Sequence, residues 1–214
     1  MCGSYELKVK ARELNRQFPP LHLGSPEMPH DVEMQPGEPV LMITGNGTAY
    51  MGSKARWGLV GSFLDREPRT PPITLPCEGL VTKPFYSKIL KRNRCLIPAT
   101  AFLEWQSPGS RRQKIRISHA KGKLLMFAGI FDHHPLAGTT CAILTTAADE
   151  TLSGVHDRMP FILGREQSVF WLGEHADFPD EAFEVLLQSS LQPPLIIEAV
   201  IEEAPSPQLS LAFA

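Results

Sequence analysis

The chain has 214 residues, 43% hydrophobic and 21% charged, with a net charge of −2. This composition fits one globular domain and excludes wholesale disorder. No apolar run approaches the roughly 20 residues of a membrane-spanning helix, and the amino terminus lacks the apolar segment of a signal peptide. The cysteines form no CxxC pair, so we expect no zinc site, no disulfide framework and a cytoplasmic protein.

The first predicted elements are a helix and a hairpin. Apolar spacing over Tyr5–Phe18 predicts a helix. Val40–Met51 predicts a hairpin, because the step Asn46-Gly47 supplies the left-handed turn conformations between two apolar runs. Seven strand-like runs follow: 55–60, 94–98, 101–105, 113–118, 124–131, 140–146 and 160–163.

Helical patterns come late in the chain. Arg165–Leu172 and Glu181–Gln188 predict two helices, the second with Asp180 as N-cap, and residues 195–201 predict a last strand. Pro and Gly at short intervals favour an antiparallel sheet over a doubly wound one. The predicted fold is therefore α+β, with a strand-rich, mostly antiparallel, barrel-like core and peripheral helices. We expect a single domain over 1–203 and a loose tail over 204–214.

Charge is distributed unevenly along the sequence. Lys83–Arg116 carries nine basic residues and one acid, whereas residues 147–214 carry twelve acids and two basic residues. Such asymmetry is typical of a protein with one basic face, which can neutralise phosphates whatever the total charge. A solvated basic loop is an equally good interpretation of this segment.

Cys2 follows the initiator methionine directly. Removal of Met1 would leave a thiol and an α-amine on adjacent carbons, and the pKa of such an amine is about 7.7–8.0. This pair condenses with an aldehyde to an imine, which the thiol then closes to a thiazolidine. It can also act as a nucleophile with its own base. An accidental cysteine in a frayed terminus is the alternative.

Two further residues have side chains suited to proton transfer. Glu104 ends an apolar strand-like run, and apolar surroundings raise a carboxyl pKa towards that of a general acid. His156 lies in a polar loop after another apolar run, where catalytic groups commonly occur. The alternatives are a strand-end glutamate that faces water and a loop histidine with structural hydrogen bonds. The other histidines show no metal-ligand spacing, and His133-His134 predicts a surface pair.

Two aromatic residues are candidates for base stacking. Trp57 and Trp105 each lie in a strand-like run, and either could stack on a base or belong to the core. Thr145 and Thr146 end an apolar strand and could donate hydrogen bonds into a cleft.

Four segments together resemble the SRAP family (SOS response-associated peptidase). They are MCG, RWGLV, RCLIPATAFLEW and ILTTAADETLSGVHDRMPFIL, at residues 1–3, 56–60, 94–105 and 143–163. The likeness covers roughly residues 1–165 and fades after Leu172. It implies a protein that binds single-stranded DNA and captures abasic sites by a thiazolidine crosslink to the N-terminal cysteine.

The resemblance implies a role for each matched residue. Cys2 matches the crosslinking nucleophile, unmasked by peptidase-like removal of Met1, and Glu104 and His156 match the residues that transfer protons. Thr145 matches a residue that lines the site, and Arg158 a phosphate contact. The remaining DNA-binding candidates are Thr74, Trp105, Pro36 and Gly37.

This chain departs from the family pattern at several positions. Thr74 and Pro76 replace an Asn and an Arg of the family segment Asn-Ala-Arg-X-Glu-Thr, Ser4 replaces an Arg, and Glu33 replaces an Asn. Loss of two arginines removes positive charge from the DNA groove, so we expect a shallower salt dependence of DNA binding.

The resemblance implies an abasic-site crosslinking enzyme with autopeptidase and lyase-like activity. We expect a cytoplasmic monomer, associated with the nucleoid when bound to DNA, without cofactor, metal or membrane. Two other functions remain open. One is a thiol-dependent peptidase in which Cys2 attacks a peptide bond, and the other is a non-covalent single-stranded DNA-binding module.

Overall fold

Strands make up most of the computed structural model, which describes residues 3–17, 21–23, 32–45, 49–106, 112–173, 178–189 and 193–200. The strands are β1 (Ser4–Leu7), β2 (Leu21–Leu23), β3 (Val32–Met34), β4 (Pro39–Gly45), β5 (Tyr50–Trp57), β6 (Thr74–Pro76), β7 (Arg94–Ala99), β8 (Ala101–Gln106), β9 (Gln113–His119), β10 (Leu125–His134), β11 (Gly138–Ala147), β12 (Arg158–Pro160) and β13 (Leu195–Ala199). The helices are α1 (Ala11–Gln17), α2 (Pro84–Arg92), α3 (Arg165–Trp171) and α4 (Asp180–Ser189).

Five strands close a barrel in the order β5, β4, β7, β10 and β11. The neighbours are antiparallel except at the closure, where β11 runs parallel to β5 and Cys141 pairs with Trp57. The predicted hairpin is confirmed, because Gly45 pairs with Tyr50 across β4 and β5. Residues 46–48 of its turn lie outside the described residues. The barrel-like, strand-rich prediction is therefore confirmed.

A second sheet, in the order β13-β9-β8-β1-β3, packs against the barrel. The chain passes between the two sheets at Thr100, whose N–H donates to the Glu6 carbonyl at 2.8 Å. Tyr5 of β1 packs edge-on against Trp57 and Phe127 of the barrel, with ring centroids 5.4 and 5.9 Å away. Side chains from both sheets thus share one core, which fixes the position of the first strand.

The predicted N-terminal helix is wrong in its first part. Residues 4–7 form β1, and only Ala11–Gln17 are helical. The apolar residues Tyr5 and Leu7 belong to the hydrophobic core, and they alternate in the sequence with the polar Ser4 and Glu6, which is the period of a strand. In this short segment, the two-residue period of the apolar side chains therefore determines the structure, and the weaker helical spacing does not.

The later elements agree better with the sequence. The two late helices and the last strand are present as α3, α4 and β13, whereas the run 160–163 contributes only Pro160 to β12 and an isolated bridge at Ile162. The sequence did not predict α2, β2, β3 or β6. The tail at 204–214 lies outside the described residues. No helix in the described ranges is long and apolar enough to cross a membrane.

Among the described residues of the basic segment Lys83–Arg116, the cations do not form one exposed face. Lys114 pairs with Glu33 at 2.6 Å, and Arg116 pairs with Glu6 at 3.0 Å and with Glu198 at 3.2 Å. These cations of β9 lie beside acids of the neighbouring strands, which neutralise them.

Arg94 of the same segment is buried instead of facing a ligand. Its guanidinium donates to the carbonyls of Trp171, Leu90, Lys91 and Gly173, at 2.8, 3.2, 2.7 and 3.3 Å. Burial lowers the pKa of Arg94 to about 10. The side chain therefore joins α2 to the end of α3 by hydrogen bonds.

Replacing this guanidinium should destabilise the fold. We expect Arg94→Lys to lower the free energy of unfolding by roughly 2–4 kcal/mol, because an ammonium has too few donors for four carbonyls in a buried site. Urea unfolding followed by circular dichroism measures the effect. Exposed Arg92→Lys is the matched control, and an equal loss in both variants would contradict this role of Arg94.

Candidate functional site

Three strands meet at Thr145, near the end of β11. In β6, Pro76 pairs with Thr145 in parallel register, and Pro160 of β12 pairs with Thr145 in antiparallel register. The Thr145 side chain is buried, and its hydroxyl donates to the Leu75 carbonyl at 3.4 Å. The parallel register also places Thr74 opposite Ile143. The structure thus brings Thr74, Thr145 and the end of β12 together.

Arg158 crosses this junction and binds Glu78. Its Nη1 and Nη2 donate to the two carboxylate oxygens of Glu78 at 2.8 and 2.7 Å, and Nη2 also donates to the Thr145 carbonyl at 2.6 Å. The hydrogen bond from Arg158 lowers the pKa of Glu78, and the same bond raises the pKa of Arg158. The predicted phosphate contact thus already has an anionic partner in the protein.

His156 lies in the loop between β11 and β12. Its backbone N–H donates to the Leu152 carbonyl at 3.0 Å, in a turn that also holds Ser153 and Asp149. Its Nδ1 lies 2.7 Å from the Asp157 carboxylate and 2.9 Å from the Arg158 backbone N–H. An unprotonated Nδ1 accepts from the amide, whereas a protonated Nδ1 donates to the carboxylate.

Glu104 reaches the same region from the second sheet. It lies on β8 opposite Ile115 and is buried, with 6% of its surface exposed, which contradicts the alternative of a glutamate that faces water. Gln106 is on the same face of β8, two residues further. Its Nε2 donates to the Gly154 carbonyl at 2.9 Å, so the end of β8 contacts the loop that carries His156.

The amino terminus enters this region along β1. Ser4 pairs with Leu103, the residue before Glu104, and hydrogen-bonds to the Glu33 carboxylate. Cys2, the predicted nucleophile, lies outside the described residues.

The predicted Pro-Gly turn is connected to the site indirectly. Gly37 has a φ of +89°, and its N–H donates to the Trp57 carbonyl at 2.7 Å. The Trp57 indole in turn donates to the carbonyl of Ile73, the residue before Thr74, at 2.8 Å. Hydrogen bonds of Trp57 therefore connect the Pro36-Gly37 turn to Ile73, directly before β6. The turn is connected to Arg158 only through these intermediate residues.

The two candidate tryptophans have different environments. Trp57 is fully buried, so it belongs to the core and is not available to a base. Trp105 is 44% exposed, and the Arg112 guanidinium lies 4.6 Å from its ring centroid. Only Trp105 keeps a surface on which a base could stack.

Two residues of the wider region differ from the expectation or were missed. His134 was expected at the surface but is buried, and its Nε2 contacts the Leu64 carbonyl at 2.9 Å. Adjacent residues of a strand face opposite sides, so one of the pair His133-His134 had to point inward. Glu78 was not predicted as a site residue, although it matches the Glu of the family segment. In the described part of the chain, no His, Cys, Asp and Glu cluster could hold a metal ion.

Cys77 is next to the Glu78–Arg158 pair but is not a reactive thiol. Its backbone N–H donates to the Thr145 carbonyl at 2.8 Å, and its side chain is buried. Burial raises the pKa of this thiol far above its ordinary value. Cys77 therefore stays protonated and extends the packing of β6 against β11.

The chain has the fold of the SRAP family. The family description "SOS response associated peptidase (SRAP)" matches residues 1–203, so the chain belongs to this family. Over 202 residues it is 32% identical to the abasic site processing protein YoqW of Bacillus subtilis. This alignment covers 90% of this chain and 87% of YoqW.

More distant relatives agree with this assignment. The chain is 25% identical over 183 residues to the abasic site processing protein YedK of Escherichia coli, across 80% of this chain and 79% of YedK. A crystal structure of a protein from Bacteroides thetaiotaomicron superposes with a TM-score of 0.78 at 18% identity, covering 94% of this chain and 92% of that one. This last likeness shows the fold.

The Glu78–Arg158 pair should contribute to stability in a pH-dependent way. Because the folded-state pKa of Glu78 is lowered, the contribution is present above the unfolded pKa of about 4.5 and is lost as the pH falls below it. We expect Glu78→Gln to cost about 0.5–1 kcal/mol at pH 7, the range of solvent-screened pairs, and almost nothing at pH 3.

Urea unfolding of both proteins between pH 7 and pH 3 measures this difference. Glu150→Gln is the control, since the exposed Glu150 forms no ion pair with any residue that the structure describes. A gap between wild type and Glu78→Gln that stays constant down to pH 3 would show that the pair does not carry the effect.

Proposed function

We propose that this protein captures abasic sites in single-stranded DNA through a thiazolidine formed by Cys2, as a DNA-damage-response enzyme. The observation that carries the proposal is the meeting of β1, the buried Glu104 and the His156 loop at one end of β8. The relatives YoqW and YedK are named abasic site processing proteins, which supports the same class of substrate.

Covalent geometry limits where the proposed nucleophile can lie. Two peptide units separate the α-carbon of Cys2 from that of Ser4, a span of at most about 7 Å. Ser4 pairs with the residue before Glu104. In this proposal, a substrate aldehyde that binds Cys2 lies near the Glu104 carboxyl group.

The reaction needs an amine, a thiol and several proton transfers. Met1 is removed first, and the freed α-amine of Cys2 attacks the aldehyde of the opened deoxyribose. The resulting carbinolamine loses one water to form an imine. Sγ then bonds to the imine carbon while the thiol proton passes to the nitrogen, so that aldehyde plus aminothiol gives thiazolidine plus water. Glu104 donates the proton that leaves with the water, and His156 moves protons during ring opening and reversal.

DNA binding in this proposal depends on few arginines. Arg158 is already paired with Glu78, and Ser4, Thr74 and Pro76 stand where the family has two Arg and one Asn. Thr74, Thr145 and the exposed face of Trp105 remain for contacts with the strand, with Pro36 and Gly37 at the turn behind β6. This reduced charge favours modest non-covalent affinity followed by covalent capture. We expect a cytoplasmic monomer that joins the nucleoid when bound.

A crosslinking gel tests the function directly. The purified protein, with Met1 loss verified by intact mass, is incubated with a single-stranded oligonucleotide that carries one abasic site. We expect a band of higher mass on a denaturing gel for wild type and none for Cys2→Ala, because alanine lacks the thiol that closes the ring. Cys77→Ala, which removes a buried thiol, is the matched control.

Two other outcomes would assign the alternative functions. Cleavage of peptides without DNA, lost in Cys2→Ala, would indicate the thiol peptidase. Salt-reversible DNA binding that is indifferent to Cys2 and to the abasic site would indicate the non-covalent module. A shifted band of equal intensity for Cys2→Ala would overturn the proposal.

Glu104→Gln tests the proton transfer. The amide keeps the shape of the side chain but delivers no proton, so we expect crosslinking to slow by about 10²–10⁴-fold, the usual contribution of general acid catalysis. The measurement is a crosslinking time course, with circular dichroism to verify the fold. Glu33→Gln, on the opposite face of the same sheet, is the control. Wild-type rates in Glu104→Gln would remove Glu104 from the mechanism.

A further inference from the structure

A cleft of about 520 Å³ lies at the His119 end of β9, away from Glu104. Its wall includes His119, which is four residues, or about 13 Å, further along β9 than Ile115, the partner of Glu104. The other walls come from α1, the turn before β10 and the segment between β12 and α3. The cleft is therefore separate from the junction of Glu104, Thr145 and Arg158.

Cationic side chains dominate this cleft. Arg16, Lys123 and Arg165 line it, against a single carboxylate, that of Glu13. In the part of the chain that the structure describes, none of these three cations belongs to an ion pair, and the Glu13 carboxylate accepts the Lys10 N–H at 3.1 Å. The cleft thus carries a surplus of positive charge that a bound anion would neutralise.

His119 adds a neutral hydrogen-bond donor. Its Nδ1 accepts the Lys121 backbone N–H at 2.9 Å, so the proton of the neutral ring is on Nε2. Burial, together with Lys123 and Lys121, lowers the pKa of His119 and keeps the ring uncharged at neutral pH. The Nε2–H group can therefore donate a hydrogen bond to an anionic ligand oxygen that two or three of the cations also contact.

The floor of the cleft is apolar and held in place. Ile162 and Leu163 are buried beneath it, and the Leu163 N–H donates to the Met126 carbonyl at 2.9 Å. On one side, the Ala120 N–H donates to the Pro194 carbonyl at 2.8 Å. A volume within 300–1,000 Å³, an apolar floor and convergent polar groups are typical of a small-molecule site.

We propose that this cleft binds the phosphate of a nucleotide unit, either as a free nucleotide or within a nucleic-acid strand. The phosphate contacts Arg16, Lys123 and Arg165, and the sugar and base lie against the apolar floor. The side chains of arginine and lysine donate charged hydrogen bonds to phosphate oxygens. The apolar floor favours a ligand with a flat base over a bare inorganic ion. This site acts independently of Cys2 and its chemistry.

Nuclear magnetic resonance locates the binding. The full chain carrying Cys2→Ala, labelled with ¹⁵N, is titrated with thymidine monophosphate, with a 15-residue oligothymidine and with hexaglutamate. We expect shifts of the Gly122 and Gly164 amides, which line the cleft. Saturation by thymidine monophosphate indicates a nucleotide site, and shifts with the oligonucleotide alone indicate a strand site. Shifts with neither, or equal binding of hexaglutamate, would overturn the proposal.

Charge-removing variants give the energetic test. We expect Lys123→Gln combined with Arg165→Gln to bind the responding ligand at least about fivefold more weakly. For the double variant, the slope of log affinity against log salt concentration should also be smaller in magnitude. The decrease should be about 0.7 for each single-strand phosphate that the variant no longer neutralises. Lys54→Gln, an exposed cation of β5, is the control. Equal affinity in the double variant and wild type would overturn the proposal, and Cys2 crosslinking, assayed separately, reports on the proposed function alone.

Discussion

The pairing of β1 with β8 and β3 is the constraint on which both the fold and the site depend. β1 is the strand between β8 and β3 in the second sheet, and its four residues are all buried. Tyr5 anchors it by edge contacts with Trp57 and Phe127 of the barrel. Because register is fixed by which face is buried, a slip by one residue would turn Tyr5 and Leu7 out of the core. The same register places Ser4 beside the residue before Glu104, so core packing also sets the reach of the amino terminus.

At the junction of β6, β11 and β12, the positive charge of Arg158 is used to hold the fold together and is less available to a ligand. A bidentate carboxylate presents two oxygens to a guanidinium much as a phosphate does, so Glu78 occupies the edge of Arg158 that the proposed DNA contact would need. A phosphate must displace Glu78 or bind beside it, and either route lowers the gain in binding free energy. In return, the pair joins the turn after β6 to β12, and Arg158 also binds the Thr145 carbonyl. The pair therefore lowers the positive charge of the junction, and the uncharged Ser4 and Pro76 do not restore it.

The sequence predicts local elements far better than long-range pairs. The Asn46-Gly47 step and the alternating runs are local signals, and they gave the hairpin and most of the barrel strands correctly. The burial of Glu104 could be expected from its apolar neighbours. The Glu78–Arg158 pair joins residues 80 apart, and Arg94 binds carbonyls at the ends of two helices, so only the fold brings these partners together. Tyr5 and Leu7 lie two residues apart, which is the period of a strand, and the core contacts of Tyr5 with the barrel confirm it.

His156 is built to hold its proton on either ring nitrogen. The Asp157 carboxylate at 2.7 Å favours Nδ1–H, which leaves Nε2 as a hydrogen-bond acceptor. The Arg158 amide at 2.9 Å favours an unprotonated Nδ1, which leaves Nε2 as a donor. The Asp157 side chain is 86% exposed, so solvent weakens its attraction for Nδ1–H. Imine formation needs a group that accepts a proton from the amine, and its reversal needs a group that returns one. In the proposed reaction, His156 does both without moving its backbone, since only the position of its proton changes.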